Sequence, residues 1–246
     1  MPVQIVEILG RAERGVTLPF KCRGDDGNLY YVKGMGSHAG RVSLISEWIA
    51  GHLGLALGIP IAPFRIVDVP AILLDAGLPE WSAQLGAGPA FASRLLPLAQ
   101  WLQFSQVAKI PERTQQDLLV FDWWVHNEDR HLTDQGGNPN LLWDTQNESL
   151  VVIDHNQAFD PAFDPLQFAR SHVFSGQWRN VFEDCVTRAS YDIRLQQALA
   201  VFETACNSCP DDWWWIDHGV PCSFDRNAAI ALLSRINESS FWGIAR

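Results

Sequence analysis

The sequence predicts a two-lobed α+β protein, with a strand-rich N-terminal lobe over residues 1–95 and a mainly helical C-terminal lobe over residues 96–246. Short β-branched, apolar segments occur early in the chain, and segments with apolar residues at helical spacing dominate later. A polar cluster, HNEDRHLTDQGGNPNLLW, lies just beyond the middle. Ligand sites favour clefts between lobes, so the boundary near Phe91 to Leu98 is where we expect a site to form.

In the first lobe, the segments VQIVEI and VTLPFKC are predicted strands, and LYYVKG follows the turn signal Asp26-Gly27. A helix is predicted from Arg41 to Leu57, ended by Gly58 and Pro60. Strands return at PFRIVDVPAILL and AFASRLL. In the second lobe, we predict helices at LAQWLQF, ERTQQDLLVFDWWVHN, DPLQFARSHVF and DRNAAIALLSRIN.

Composition excludes some classes of protein. With 47% hydrophobic and 19% charged residues, wholesale disorder is not expected. The net charge of −10 gives no general attraction for nucleic acid or anionic membranes, so we expect no direct nucleic-acid or membrane partner. The N-terminus lacks a signal-peptide pattern, no long apolar run is present, and the five cysteines suit reduced thiols. We therefore expect a cytoplasmic protein.

The segments LLWD and LVVID flank TQNES and predict a β-hairpin with a five-residue loop. Pairing symmetric about Asn147 brings Asn140 beside Asp154 at the open end, next to the loop that carries Asp129. The opposed pairs in this register are Leu142 with Val152 and Leu141 with Ile153. A slip by one residue stays open, but it would not remove the convergence of these polar side chains.

The three oxygen-bearing side chains Asp129, Asn140 and Asp154 are the kind of ligands and bases that phosphoryl transfer uses. Mg²⁺ prefers oxygen ligands, and one carboxylate can orient and deprotonate an attacking hydroxyl. Each segment by itself is more simply explained by turn and capping residues. Their combination across one hairpin favours a site.

HNEDRH, followed by NPNLLW and then VVIDHNQAF, resembles the HipA-like kinases, particularly their compact form without extra N-terminal domains. The pattern is also similar to phosphatidylinositol-kinase-type loops within the protein-kinase-like fold. The resemblance implies Asp129 as catalytic base, Asn140 or Asn138 as metal ligand, and Asp154 as the principal Mg²⁺ ligand. Arg130 and His131 would brace the loop, although His131 suits an interior structural histidine equally well.

One departure from the family pattern affects the metal site. The metal-binding Asn usually follows the base by five positions, but position 134 is Asp134, so Leu132 to Gly137 contains an insertion. We favour Asn140 because it directly precedes the strand and pairs with Asp154 in the predicted hairpin. Asn138 is the competing choice.

The N-terminal lobe carries further candidates. Lys33 ends the strand LYYVK, and in the kinase pattern this lysine contacts nucleotide phosphates and pairs with a glutamate on the following helix, here Glu47. By itself Glu47 would be an ordinary exposed helix residue. Gly10 and Gly15 flank either a phosphate-covering loop or a plain hairpin turn. The strand AFASRLLP, which includes Ser93, is expected to bind adenine through its backbone.

These observations predict an ATP- and Mg²⁺-dependent phosphotransferase of HipA-like type, acting on Ser or Thr of a protein substrate. The alternatives are a small-molecule phosphotransferase and a catalytically silent kinase-like binding module. By resemblance, an antitoxin or another regulatory partner is conceivable, and Trp213 to Trp215 could form a partner-binding patch. Two zinc hypotheses are weaker: one uses His126 and His155, and the other uses Cys206, Cys209, Cys222 and His218.

Overall fold

The computed structural model describes residues 2–12, 18–36, 40–75 and 83–243. It has the predicted α+β architecture in two compact units, which alternate along the chain. The first unit comprises Met1–Trp48, Ala62–Pro97 and Cys209–Phe224, and the second comprises Ile49–Ile61, Leu98–Ser208 and Asp225–Arg246. The sequence had indicated a single division after residue 95.

The first unit is built on a closed five-stranded barrel with the strand order β1-β2-β3-β5-β4. Its strands are β1 (Val3–Arg11), β2 (Phe20–Gly24), β3 (Leu29–Lys33), β4 (Phe64–Val69) and β5 (Gly88–Arg94). Strands β1 and β4 pair in parallel, and the other neighbours are antiparallel. Alternate residues point inward, so Ile5, Cys22 and Val32 are almost completely buried in one apolar core.

Helix α1 (Gly40–Leu57) follows β3 closely at the predicted position. It ends in a Schellman motif, in which Gly58 N–H donates to Leu55 O over 3.0 Å and Ile59 N–H donates to Gly54 O over 2.9 Å. Gly58 has a φ of +88°, which explains why a glycine ends this helix. Short elements complete the first unit: α2 (Ala71–Asp75), β11 (Trp215–Asp217) and β12 (Val220–Pro221).

Helix α3 (Glu112–Val125) forms the centre of the second unit, and every residue from Leu118 to Val125 is buried. The other helices are α4 (Pro165–Ser171), α5 (Trp178–Phe182), α6 (Cys185–Leu199), α7 (Phe202–Asn207) and α8 (Arg226–Ser234). The strands β6 (Ala99–Trp101), β9 (Leu141–Asp144) and β10 (Ser149–Val152) form a small sheet, and β7 (His131–Thr133) pairs with β8 (Gly136–Asn138). No helix among the described residues is long and apolar enough to cross a membrane.

Two predicted elements were wrong. LAQWLQF was predicted to be helical, but it contains strand β6, which pairs with β9 and thereby extends the sheet. PFRIVDVPAILL was predicted to be one strand, but it ends at Val69, and Ala71–Asp75 is helical. Pro70 explains the second change because it lacks the N–H that a continuing strand would use.

The β9–β10 hairpin is present, but its predicted register was wrong by one residue. Val152 pairs with Leu141, and Ser149 pairs with Asp144. The loop is shorter than predicted because Asp144 Oδ1 accepts the N–H groups of Gln146 at 2.9 Å and Asn147 at 3.2 Å. Consequently Asn140 lies opposite Ile153, whose N–H donates to Asn140 O over 3.1 Å.

Candidate active site

The polar segment HNEDRH begins where α3 ends. His126 adopts a left-handed backbone with a φ of 53° at the helix C-cap, and the chain continues without helix to Asp129 and Arg130. Asp129 is half-buried. Burial raises the pKa of its carboxyl group, a hydrogen bond from Asn140 lowers it, and the nearby charge of Asp154 raises it, so that the net shift is upward. The carboxylate is therefore a stronger proton acceptor than an ordinary Asp.

Asn140 contacts Asp129 directly. Its Nδ2 donates to Asp129 Oδ2 over 2.8 Å and to the Asp129 backbone oxygen over 3.1 Å, and the residue is only 2% exposed. Asn138 lies in β8, where it pairs with His131. The geometry thus places Asn140 beside the carboxylate that the sequence analysis identified. Because both contacts with Asp129 use Nδ2, the side-chain oxygen of Asn140 remains available to another partner.

The predicted insertion forms the β7–β8 hairpin. His131 pairs with Asn138 and Thr133 pairs with Gly136, so the added residues fold back on themselves. Gly137 permits this close pairing, because a Cβ there would lie 2.3 Å from His131 O. Asp134, five positions after Asp129, is exposed at the hairpin turn. The segment between Asp129 and Asn140 is therefore longer, but Asn140 still contacts Asp129.

Asp154 follows β10 and is half-buried. Its φ is 56° and that of Asn140 is 49°, so both residues adopt the left-handed conformation. Non-glycine residues in this conformation are uncommon, and they cluster at functional sites where the surrounding structure holds them in place. The open end of the hairpin thus has two strained backbone positions, and each carries an oxygen-bearing side chain.

Arg130 ties these elements together from the interior. It is completely buried, and its Nε donates to Asp122 Oδ2 over 2.8 Å. Its Nη1 donates to the backbone oxygens of Asn140 at 2.8 Å and Ile153 at 2.9 Å. His131 is half-buried, and its Nδ1 lies 3.3 Å from Ser171 O. These contacts connect α3 to both strands of the hairpin.

Asp122 and His172 were not predicted as site residues. The Asp122 carboxylate is fully buried and accepts from Arg130, from Asn127 Nδ2 over 2.8 Å and from His172 Nε2 over 3.0 Å. Burial alone would raise the pKa of Asp122, but Arg130, His172 and Asn127 outweigh it and hold the pKa below its usual value. An acidic residue inside LLVFDWWV was the available signal for Asp122, because buried carboxylates need partners.

The first unit contains the second group of candidates. Lys33 Nζ lies 2.7 Å from Glu47 Oε2, and the two side chains are 9% and 3% exposed. Glu47 is thus buried and is not an ordinary exposed helix residue. Next to it, Trp48 packs edge-on against Trp213, whose Nε1 donates to Pro89 O over 2.9 Å.

The structure says less about the remaining nucleotide-site candidates, which are Gly10, Gly15 and Ser93. Gly10 lies in β1 with a φ of +134° at an irregularity in the pairing with β2, whereas Gly15 lies outside the described residues. Ser93 lies inside β5, paired with Tyr31 on one side and Phe64 on the other. Strand β5 is thus paired on both sides, so the backbone groups around Ser93 are used within the barrel.

The zinc hypotheses gain no support. Among the described residues, no group of three His, Cys, Asp or Glu side chains could hold a metal ion. His126 instead stacks on Phe163 with ring centroids 4.1 Å apart. The five cysteines all lie within the described residues and form no disulfide. Trp213 is buried in the first unit, whereas Trp215 is 50% exposed.

Comparisons with known proteins identify the family and the fold of this chain. A family model described as HipA-like kinase matches residues 5–245. The solved structure of the Helicobacter pylori proinflammatory kinase CtkA is similar, with a TM-score of 0.53, 10% identity, and coverage of 96% of this chain and 95% of that one. A Golgi casein kinase structure with Mn/ADP bound gives a TM-score of 0.48 and 10% identity, covering 96% of this chain and 70% of that one.

No curated protein matches the sequence. The likeness to CtkA shows a shared fold at low identity. The family model spans nearly the entire chain, including the loop with Asp129 and the hairpin that ends at Asp154. The protein therefore belongs to the HipA-like kinase family.

Proposed function

We propose that this HipA-like kinase transfers a phosphoryl group from ATP to a Ser or Thr hydroxyl of a protein in a Mg²⁺-dependent reaction. Family membership supports phosphoryl transfer in general. The observation that carries the proposal is the contact of Asn140 with Asp129, beside the charge of Asp154. These are the residue types that such a reaction needs for its base and its metal.

In this proposal Asp129 orients the acceptor hydroxyl and takes its proton. A base must be ionised before it acts, and the Asn140 hydrogen bond favours the ionised carboxylate. The raised pKa of Asp129 makes the same carboxylate a better proton acceptor than one in water. Both effects suit a general base.

Asn140 and Asp154 are the residues that would hold Mg²⁺. Their amide and carboxylate oxygens are ligands that this ion prefers. The negative charges of Asp129 and Asp154 repel each other, and this repulsion contributes to the raised pKa of Asp129. A bound cation would relieve the repulsion. When bound, Mg²⁺ would supply neutralisation of the charge on the transferring phosphates.

Lys33 and Glu47 would serve the nucleotide. Keeping an ion pair buried is costly, so the nearly buried Lys33–Glu47 pair supports a functional requirement for the ammonium group. We assign Lys33 to the phosphates of ATP and Glu47 to the orientation of Lys33. Among the described residues, nothing lies within 4 Å of where a Cβ at Gly10 would be, so a phosphate could approach the backbone there closely.

The direct test is incubation of the purified protein with radiolabelled ATP and Mg²⁺, both alone and with cell extract. We expect label in protein bands, recovered after hydrolysis as phosphoserine or phosphothreonine. Label confined to small molecules would show that the acceptor is a small molecule and not a protein. A folded protein that neither binds Mg-ATP by calorimetry nor transfers label would refute the proposed activity.

A further inference from the structure

We propose that Asp122 and His172 form a buried positioning pair, which acts through Arg130 to hold the two ends of the metal-binding hairpin. This inference rests on the proposed function, because it assigns Asn140 and Asp154 to the metal. Neither Asp122 nor His172 contacts those side chains in the described hydrogen bonds. Their proposed role is therefore positional and not catalytic.

The open end of the hairpin needs to be held. Asn140 and Asp154 both have left-handed backbones, a conformation that is uncommon for non-glycine residues and that Asn and Asp adopt more readily than most. One atom, Nη1 of Arg130, donates both to Asn140 O and to Ile153 O. It thereby fixes the peptide that leaves Asn140 and the peptide that enters Asp154. A small rotation of the guanidinium would shift both ligands together.

Asp122 fixes the orientation of Arg130. Its Oδ2 accepts from Arg130 Nε, and its Oδ1 accepts from Asn127 Nδ2. Asp122, Asn127 and Arg130 are all completely buried, so bulk water cannot replace a lost donor. Asp122 therefore holds Arg130 and Asn127 through two buried hydrogen bonds, one to each of its carboxylate oxygens.

His172 completes the arrangement, and its hydrogen bonds define its tautomer. Phe174 N–H donates to His172 Nδ1 over 3.1 Å, so Nδ1 is unprotonated. The ring proton is then on Nε2, which donates to Asp122 Oδ2 over 3.0 Å. The next residue, Val173, donates its N–H to Arg130 O over 2.9 Å. The residues after α4 thus contact both parts of Arg130: His172 acts on its side chain through Asp122, and Val173 bonds to its backbone oxygen.

Two substitutions separate the hydrogen bond from simple packing. His172→Phe retains a ring next to Phe168 and Phe174 but removes the N–H that reaches Asp122. His172→Gln restores a side-chain N–H near the position of Nε2. Phe174→Leu is the matched control, because it disturbs the same buried packing and leaves the polar contacts in place.

The primary measurement is Mn²⁺ binding by calorimetry, with the ADP complex of each full-length variant. We expect His172→Phe to bind Mn²⁺ about 10- to 100-fold more weakly than wild type, the range seen when residues behind metal ligands are lost. His172→Gln should recover most of the affinity. Phe174→Leu should lower the melting temperature without changing Mn²⁺ affinity. Wild-type Mn²⁺ affinity in folded His172→Phe would overturn the inference.

A second pair of variants applies if His172→Phe does not fold. His172→Asn places its amide near Nδ1, too short to reach Asp122, whereas His172→Gln reaches it. Weaker Mn²⁺ binding by the Asn variant than by the Gln variant supports the positioning pair, and equal binding overturns it.

Hydrogen exchange separates this inference from the proposed function. If wild type binds no Mn²⁺, the proposed function fails, but exchange of the Ile153 amide still tests the positioning pair. Faster exchange at Ile153 in His172→Asn than in both His172→Gln and Phe174→Leu supports the pair. Equal exchange in all three variants overturns it.

Discussion

The side-chain amide of Asn140 donates to the carboxylate of Asp129 over 2.8 Å, although a complete β-hairpin separates them in the chain. We predict that Asn140→Ala weakens Mn²⁺ binding in the nucleotide complex at least about tenfold, as expected for loss of a ligand or its close support. Asn138→Ala is the matched control and should bind Mn²⁺ normally. A larger loss of Mn²⁺ affinity in Asn138→Ala would show that Asn138, in β8, is the metal ligand.

The ion pair between Lys33 and Glu47 predicts a specific kinetic change. Glu47→Gln keeps the shape of the side chain but removes the charge that orients Lys33. We expect KM for ATP to rise and kcat to fall, measured by steady-state phosphate transfer. The control is Glu7→Gln in the exposed pair with Arg23, where exposed ion pairs contribute only about 0–1 kcal/mol. Equal effects of the two substitutions would contradict the role of Glu47.

His126 predicts a loss of stability in acid. Burial is the main reason that its pKa is lowered from 6.5 to about 3, with a further decrease from the charge of Arg235 and a partial increase from Asp160. Above pH 6.5 the imidazole is neutral in both states. As the pH falls below 6.5, only the unfolded chain gains the proton, so the free energy of unfolding decreases until about pH 3.

The test of this pH dependence uses His126→Asn, which suits the left-handed backbone at this helix end. Urea unfolding between pH 7 and pH 4 should show a shallower loss in the variant, by at most about 1.4 kcal/mol per pH unit. The variant should also be less stable at pH 7, because it loses stacking on Phe163. Identical pH slopes would show that His126 takes up its proton equally in the folded and unfolded chains, against the lowered pKa.

The cysteines predict an ordered pattern of thiol labelling. Cys185 is exposed and Cys222 is half-buried, whereas Cys22, Cys206 and Cys209 are buried. Burial also raises the pKa of Cys22 to about 12, so its reactive thiolate is scarce at neutral pH. A disulfide reagent should label Cys185 first, and Cys185→Ser should remove the fast phase. Rapid labelling of three or more thiols in the native protein would contradict this order.

The parts of the fold that follow local sequence rules were predictable. Helix α1 ends at Gly58 because a left-handed glycine closes it, and the hairpin after Asn140 follows from apolar strands around a polar turn. Its register was not predictable from symmetry alone, because the Asp144 side chain shortens the loop. Local patterns also failed at Ala99–Trp101, where pairing with β9 overrides the helical spacing.

The site was predictable as far as single motifs extend along the chain. Asp129, Asn140 and Asp154 lie within one segment, and Lys33 and Glu47 lie on adjacent elements. His172 was not predictable, because its partner Asp122 is fifty positions away and no local pattern relates them. That Asn140, and not Asn138, contacts Asp129 likewise depends on the pairing of β7 with β8.

The measurement that tests the central claim most directly is the rate of phosphoryl transfer at saturating Mg-ATP for wild type and Asp129→Asn, with ATP affinity measured separately. Loss of a general base predicts a fall in kcat of about 10²–10⁴-fold. ATP binding should be nearly unchanged, and Asp134→Asn, at the exposed turn of the inserted hairpin, should transfer phosphate like wild type. An Asp129→Asn protein with wild-type kcat would contradict the assignment of Asp129 as the base.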